Sequence, residues 1–284
     1  MAKAKKAKTN WVAIIAILLC SMFLLPRALE LVDLLTLNKG VEKKITTEYI
    51  KVQLVGDNKI ELSQGEKTVL GKTKARELIL QGADGARLTA TGEGAGAIQA
   101  SDGVTLVVKN LTIKDESGDT GGSWWNYLWF GGKLRFENCI FSDSIYVADD
   151  AAAEFIGCTF TSTAKGMYSA WVADGSATFK DCTFIGYRGL KIHEFEYDDV
   201  VTVRVEDCTF RDLSVKPGIA IGTFTQDPKH TTVEVVGCLF ENCNAWDTEG
   251  SLVGIDGGYE ADMCTDEFNF VWEDNEIRFT ESAE

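Results

Sequence analysis

Five stretches of the chain repeat one phrase: 135-RFENCIF-141, 154-EFIGCTF-160, 178-TFKDCTF-184, 204-RVEDCTF-210 and 234-EVVGCLF-240. Each has a cysteine in fifth place (Cys139, Cys158, Cys182, Cys208, Cys238), an apolar residue three before it and a phenylalanine two after. The cysteines follow one another at intervals of 19, 24, 26 and 30 residues. The frame continues without cysteine in 107-VVKNLTI-113, where Leu111 takes its place, and in 271-VWEDNEI-277, where Asn275 does. A phrase that recurs at such spacing marks a solenoid or a propeller.

The residue before the cysteine position is Asn110, Asn138, Gly157, Asp181, Asp207, Gly237 or Asp274. Asn, Asp and Gly enter the left-handed backbone region most easily, so the phrase is expected to turn sharply there. Alternating apolar residues before and after the turn (Phe136, Cys139 and Phe141, for example) predict a short strand on either side. A third strand is expected upstream of most phrases, in YLWFGG, IYVADD, SAWVADG, GLKIHEF, GIAIGTF and SLVGID. Coils of three short strands with variable loops suit a parallel β-helix, in which like residues stack about 4.8 Å apart. A propeller blade needs a longer and steadier period.

The repeated phrase, with 78-LILQGADGARLTATGEG-94 and 96-GAIQASDGVTLVVKNLTI-113, resembles the pectate-lyase-like superfamily of right-handed parallel β-helices over roughly Ile50 to Phe279. The resemblance implies the fold. It leaves activity open, because that superfamily holds lyases, hydrolases, esterases and non-catalytic surface proteins. The paired-Asp, Gly-His-Gly and Arg-Ile-Lys set of polygalacturonases is missing, as are the methylesterase phrases and the arginine-bearing lyase signature.

In register, the five cysteines would share one inward direction, a poor geometry for bridging. No close CxxC pair points to a metal site. A small apolar ladder filler is the expected role. Cys243 and Cys264, in stretches read as loops, are the better disulfide candidates.

The N-terminus carries four lysines in its first eight residues, then an apolar run from Trp11 to Leu25, closed by Pro26 and Arg27. The expected organisation is a basic cytoplasmic leader (1–10), a signal-anchor helix or signal peptide (11–27), a linker or amphipathic helix (28–48) and the β-helix (49–284). That places the β-helix outside the cytoplasm, membrane-anchored or, if the segment is cleaved, secreted. The net charge of −15 argues against a nucleic-acid partner, which needs a basic footprint.

Alternation along the third strand defines outward columns. One reads Trp129, Tyr146, Trp171, Lys191, Ala220; the next reads Gly131, Ala148, Ala173, His193, Gly222. Asp149, Asp174, Glu194 and Thr223 close the strands, with Asp256 in the coil after. An aromatic row bordered by acids is a candidate polysaccharide platform (Trp129, Tyr146, Trp171, Lys191), which Trp124, Trp125 and Tyr168 would widen. The same rings covered by loops would serve packing alone. For catalysis, Asp149, Asp150, Asp174 and Glu194 could gather calcium with Lys191 or Arg188 as the base of a lyase, or supply a hydrolase's acid pair. His193 beside Glu194 is a candidate general base, and His230 reads as a turn residue. A cell-surface binding module without catalysis is the leading expectation, with no metal or other cofactor. The alternatives are a lyase or hydrolase, and a ligand-free unit of a surface assembly.

Overall fold

The computed structural model describes residues 35–36, 42–45, 49–62, 68–70, 76–92, 96–100, 103–116, 128–148, 150–163, 168–193, 200–213, 218–224, 230–248 and 269–280. The 1–27 segment and its expected helix lie outside them. Among the described residues no helix is long and apolar enough to cross a membrane.

All seven bend residues take positive φ: Asn110 and Asn138 53°, Gly157 61°, Asp181 54°, Asp207 53°, Gly237 66° and Asp274 54°. The strand before each bend belongs to one sheet, here sheet 1, with members such as Lys133–Glu137, Ala151–Ile156, Gly175–Lys180, Val201–Glu206 and Thr231–Val236. The strand after the bend belongs to sheet 2, which includes Ile140–Phe141, Thr159–Phe160, Thr183–Gly186, Thr209–Leu213 and Leu239–Glu241. Sheet 3 holds Leu128–Gly131, Ile145–Val147, Tyr168–Ala173, Arg188–His193, Gly218–Phe224 and Cys243–Thr248. Among the described residues sheets 1 and 2 have ten strands and sheet 3 has eight, and from Tyr49 onward each is bonded to its equivalent one coil away. From Tyr49 onward every pairing is parallel. The molecule is a parallel β-solenoid.

Neighbouring bend residues meet along the column, either as paired Asx side chains or across a glycine. Asn138 Nδ2 donates to Asn110 Oδ1 at 3.4 Å. One coil on, a Cβ at Gly157 would sit 2.7 Å from Asn138 Oδ1, and one at Gly237 would sit 2.6 Å from Asp207 Oδ1. Glycine stands where the previous side chain already fills the space.

The interior is a set of ladders. Phe141, Phe160, Phe184, Phe210 and Phe240 stack in turn at 4.9, 4.6, 4.5 and 5.1 Å, and Phe136, Phe155 and Phe179 at 5.1 and 4.8 Å. Burying a side chain of this size contributes about 2–3 kcal/mol. The five cysteines line this core, free and buried. Each thiol also donates to the carbonyl three residues before the preceding coil's cysteine position: Cys139 to Val108, Cys158 to Phe136, Cys182 to Phe155, Cys208 to Phe179 and Cys238 to Val205, at 3.3–3.5 Å.

Two expectations are corrected. Cys243 is not in a loop: it opens the strand Cys243–Thr248 as a fully buried free thiol, and Cys264 lies outside the described residues. Sheet 3 includes that strand; SLVGID, expected in the same sheet, lies outside the described residues. Part of 28–48 is strand, since Leu35–Thr36 and Glu42–Ile45 run antiparallel against Asp57–Leu62 and Tyr49–Leu54 and cover the first edges of sheets 2 and 1.

Candidate functional site

The outer face of sheet 3 carries the candidate residues. Trp129 pairs with Tyr146, Tyr146 with Trp171, and Trp171 with Lys191. The next partner of Lys191 is Gly222, two residues beyond the expected Ala220. Ala220 and Ile221 both enter the core, which breaks the two-residue alternation and shifts the register. His193 likewise pairs with Phe224.

The row is closed to solvent where its side chains are described. Tyr146 is 8% exposed, Trp171 2%, Lys191 6% and His193 9%. The expected flat, open platform is therefore corrected at Tyr146 and Trp171. Tyr146, Ala148, Tyr168, Trp171 and Ala173 form a second hydrophobic cluster on this face, with Ile219 packed against it. The physical reason is the apolar character of the column: its rings pack better against one another than against water. The side chain of Trp129 is outside the described set.

Tyr168 sits at the centre of this cluster, although the sequence placed it in a flanking loop. Its ring meets Trp171 edge-on at 6.1 Å. Arg188 Cζ lies 5.2 Å and Lys191 Nζ 5.3 Å from its centroid. Lys191 Nζ also lies 5.5 Å from the Trp171 ring, and His193 stands 6.1 Å from Trp171. The Arg188 and Lys191 distances are cation–π contacts, strongest where water is excluded. Gly222 makes room for the arrangement, because a Cβ there would lie 2.3 Å from the Tyr168 hydroxyl. The signal available in the sequence was Tyr168 at three residues before Trp171, but using it requires knowing that Ser169 and Ala170 are both buried.

Of the candidate acids, Asp174 is described. It turns the chain at the end of its strand with φ 66°, and Asp150 does so one coil earlier with φ 55°. Asp149, Glu194 and Asp256 lie outside the described residues, and His230 is exposed. Among the described residues no group of three or more His, Cys, Asp or Glu is placed to hold a metal ion. Asp143, half-buried near this face's strand Ile145–Val147, has its carboxyl raised above the ordinary range by burial, opposed by the Asp115 N–H that donates to it at 3.1 Å.

Stacked parallel coils with like residues in register define the class of right-handed β-helix proteins. The chain belongs to that family: the family described as "Right handed beta helix region" matches residues 127–278, slightly more than half of the chain. No curated protein and no solved structure matches it.

Proposed function

We propose that this protein is an exported, membrane-tethered β-helix that serves at the cell surface as a non-catalytic binding module for carbohydrate or another surface partner. The observation that carries this reading is the packing of Lys191 and His193. Two of the candidate proton-transfer side chains are buried there, Lys191 against the rings of Tyr168 and Trp171 and His193 against Trp171. A general base must reach the proton it takes, and here both side chains are packed against the outer rings instead. Export and tethering rest on the lysine-rich leader and the apolar run Trp11–Leu25. With Tyr146 and Trp171 closed off, stacking on a glycan falls to Trp129, and Lys191 acts from below as the cation that stiffens the face.

The test uses the full chain in detergent on a glycan array, beside an assay for unsaturated sugar ends by ultraviolet absorbance. Binding that survives Asp149→Ala and Asp174→Ala, is lost in Trp129→Ala, and comes with no absorbance rise supports the module. An absorbance rise abolished by a chelator would overturn it in favour of a calcium-dependent lyase.

A further inference from the structure

The two ends of the solenoid differ. At the first coil, antiparallel strands cover the edges of sheets 1 and 2, and Ile50, Val52, Leu54 and Ile60 are fully buried. At the last coil, sheet 1 ends with Asn269–Glu273 and sheet 2 with Glu276–Arg278. Among the described residues no strand pairs with the outer edge of either. Trp272 and Ile277 are only partly buried, whereas their equivalents one coil back, Val235 and Phe240, are completely so. Such an edge, with backbone groups to pair and an apolar rim, is a template for another strand.

We propose that this edge docks the same edge of a second copy of the chain, with Glu276–Arg278 pairing antiparallel to itself about a two-fold axis through Ile277. The strand is electrostatically self-complementary. Within one chain, Arg278 Nε lies 2.5 Å from Glu276 Oε1 and Nη2 lies 2.6 Å from Oε2. In antiparallel register about Ile277, Glu276 faces Arg278 of the second copy and Arg278 faces its Glu276. The four charges then alternate in sign around a ring, and cross-strand pairs of opposite charge stabilise a sheet. Head-to-tail stacking of copies would need free first edges in sheets 1 and 2, which the antiparallel strands already occupy. The isologous contact needs no such edge and closes at a dimer. The two Ile277 side chains and the two Trp272 rings would complete the burial that the last coil lacks. The inference stands on the fold and does not depend on which ligand the protein binds.

The experiment measures the mass of the full chain in detergent, corrected for the micelle, across a concentration series. The expected mass rises from 31.1 kDa to twice that value. Arg278→Glu sets glutamate against glutamate at both cross-strand positions and is expected to weaken the dimer about tenfold or more. The double variant Glu276→Arg/Arg278→Glu restores the alternation and is expected to restore the dimer. In a background with Cys20→Ser and Cys264→Ser, Ile277→Cys should form an intersubunit disulfide under mild oxidation. Ile140→Cys, exposed on the same sheet at 44%, should not. A chain that is monomeric at all concentrations, a dimer indifferent to Arg278→Glu, a double variant that fails to restore it, or equal crosslinking at both positions would each overturn the proposal. Association through the apolar N-terminal run alone would appear as that indifference.

Discussion

A thiol suits the ladder position because it joins two properties that a purely apolar side chain lacks together. It is small enough to stack at every coil, and it carries a weak donor that reaches the carbonyl left facing the core by the coil below. Burial pushes the Cys208 thiol well above its ordinary value and Cys243 up to about 12, so these groups are inert fillers in the native state. The bend residue is the more exacting choice. Asp181 holds φ 54°, a conformation that costs an ordinary L-residue about 1–2 kcal/mol. Asp181→Gly is therefore expected to leave the melting temperature within a degree or two, whereas Asp181→Val should lower stability by about 1–2 kcal/mol. Chemical denaturation of the two variants checks the order, and equal losses would mean that the carboxylate, not the backbone, matters at this site. The bends were legible in the sequence because steric exclusion leaves only Asn, Asp and Gly there. The thiol–carbonyl bonds were not, because they join residues about one coil apart whose distance depends on the stacking itself.

Between residue and molecule, the three sheets differ in how fully their patterns could be read. Alternation placed the inward residues of most strands of sheets 1 and 2, as in Ala151–Ile156 and Thr231–Val236, although Thr105–Lys109 buries three residues in a row and Thr209–Leu213 leaves the period at a register shift. On sheet 3 two consecutive inward residues, Ala220 and Ile221, break that period, and the column slips by two beyond the break. The closing of the face over Tyr146 and Trp171 was also illegible, because tertiary cover leaves no local trace in a strand. Sheet 1 makes a sharper electrostatic case. Its outer face carries ion pairs that run across coils, Lys109–Glu137 at 2.7 Å, Lys180–Glu206 at 2.5 Å and Arg204–Glu234, and Arg204 also pairs with Glu206 on its own strand. The hydrogen bond from Lys180, then that from Arg204, holds the Glu206 carboxyl below the usual glutamate range. A carboxylate with a depressed folded pKa adds stability above its unfolded value of about 4.3, and that stability is lost as pH falls through the folded value. Glu206→Gln should therefore lower stability at pH 7, by no more than about 1 kcal/mol because the pair is solvent-screened. The two proteins should converge as the pH drops towards 3. Thermal melts at the two pH values decide it, and a deficit that persists in acid would point to lost packing in place of lost charge.

For the molecule as a whole, each coil touches only its neighbours, so stability is a chain of nearest-neighbour terms and opening should begin at an end. The sequence announced the repeat and left Glu42 to Leu70 as its first coil or a cap; the antiparallel direction of Leu35–Thr36 and Glu42–Ile45 was not legible, because they lie outside the period of the phrase. The finished end buries Ile50, Val52 and Leu54, while the last coil leaves Trp272 and Ile277 partly open. Native-state hydrogen exchange should follow that asymmetry. Amides of Ala151–Ile156, Gly175–Lys180 and Val201–Glu206 lie between coils on both sides and should exchange only through global unfolding. Amides of Asn269–Glu273 and Glu276–Arg278 should exchange through fraying, with an opening free energy well below the global value. A two-fold contact at Ile277 adds a concentration dependence: protection of Glu276–Arg278 should climb as the protein is concentrated, while that of the central strands stays constant. Uniform protection along the solenoid would contradict the one-dimensional account. A frayed last coil whose protection ignores concentration would keep that account and remove the second copy from it, because a strand held across a dimer interface cannot fray at the monomer's rate once the dimer is populated.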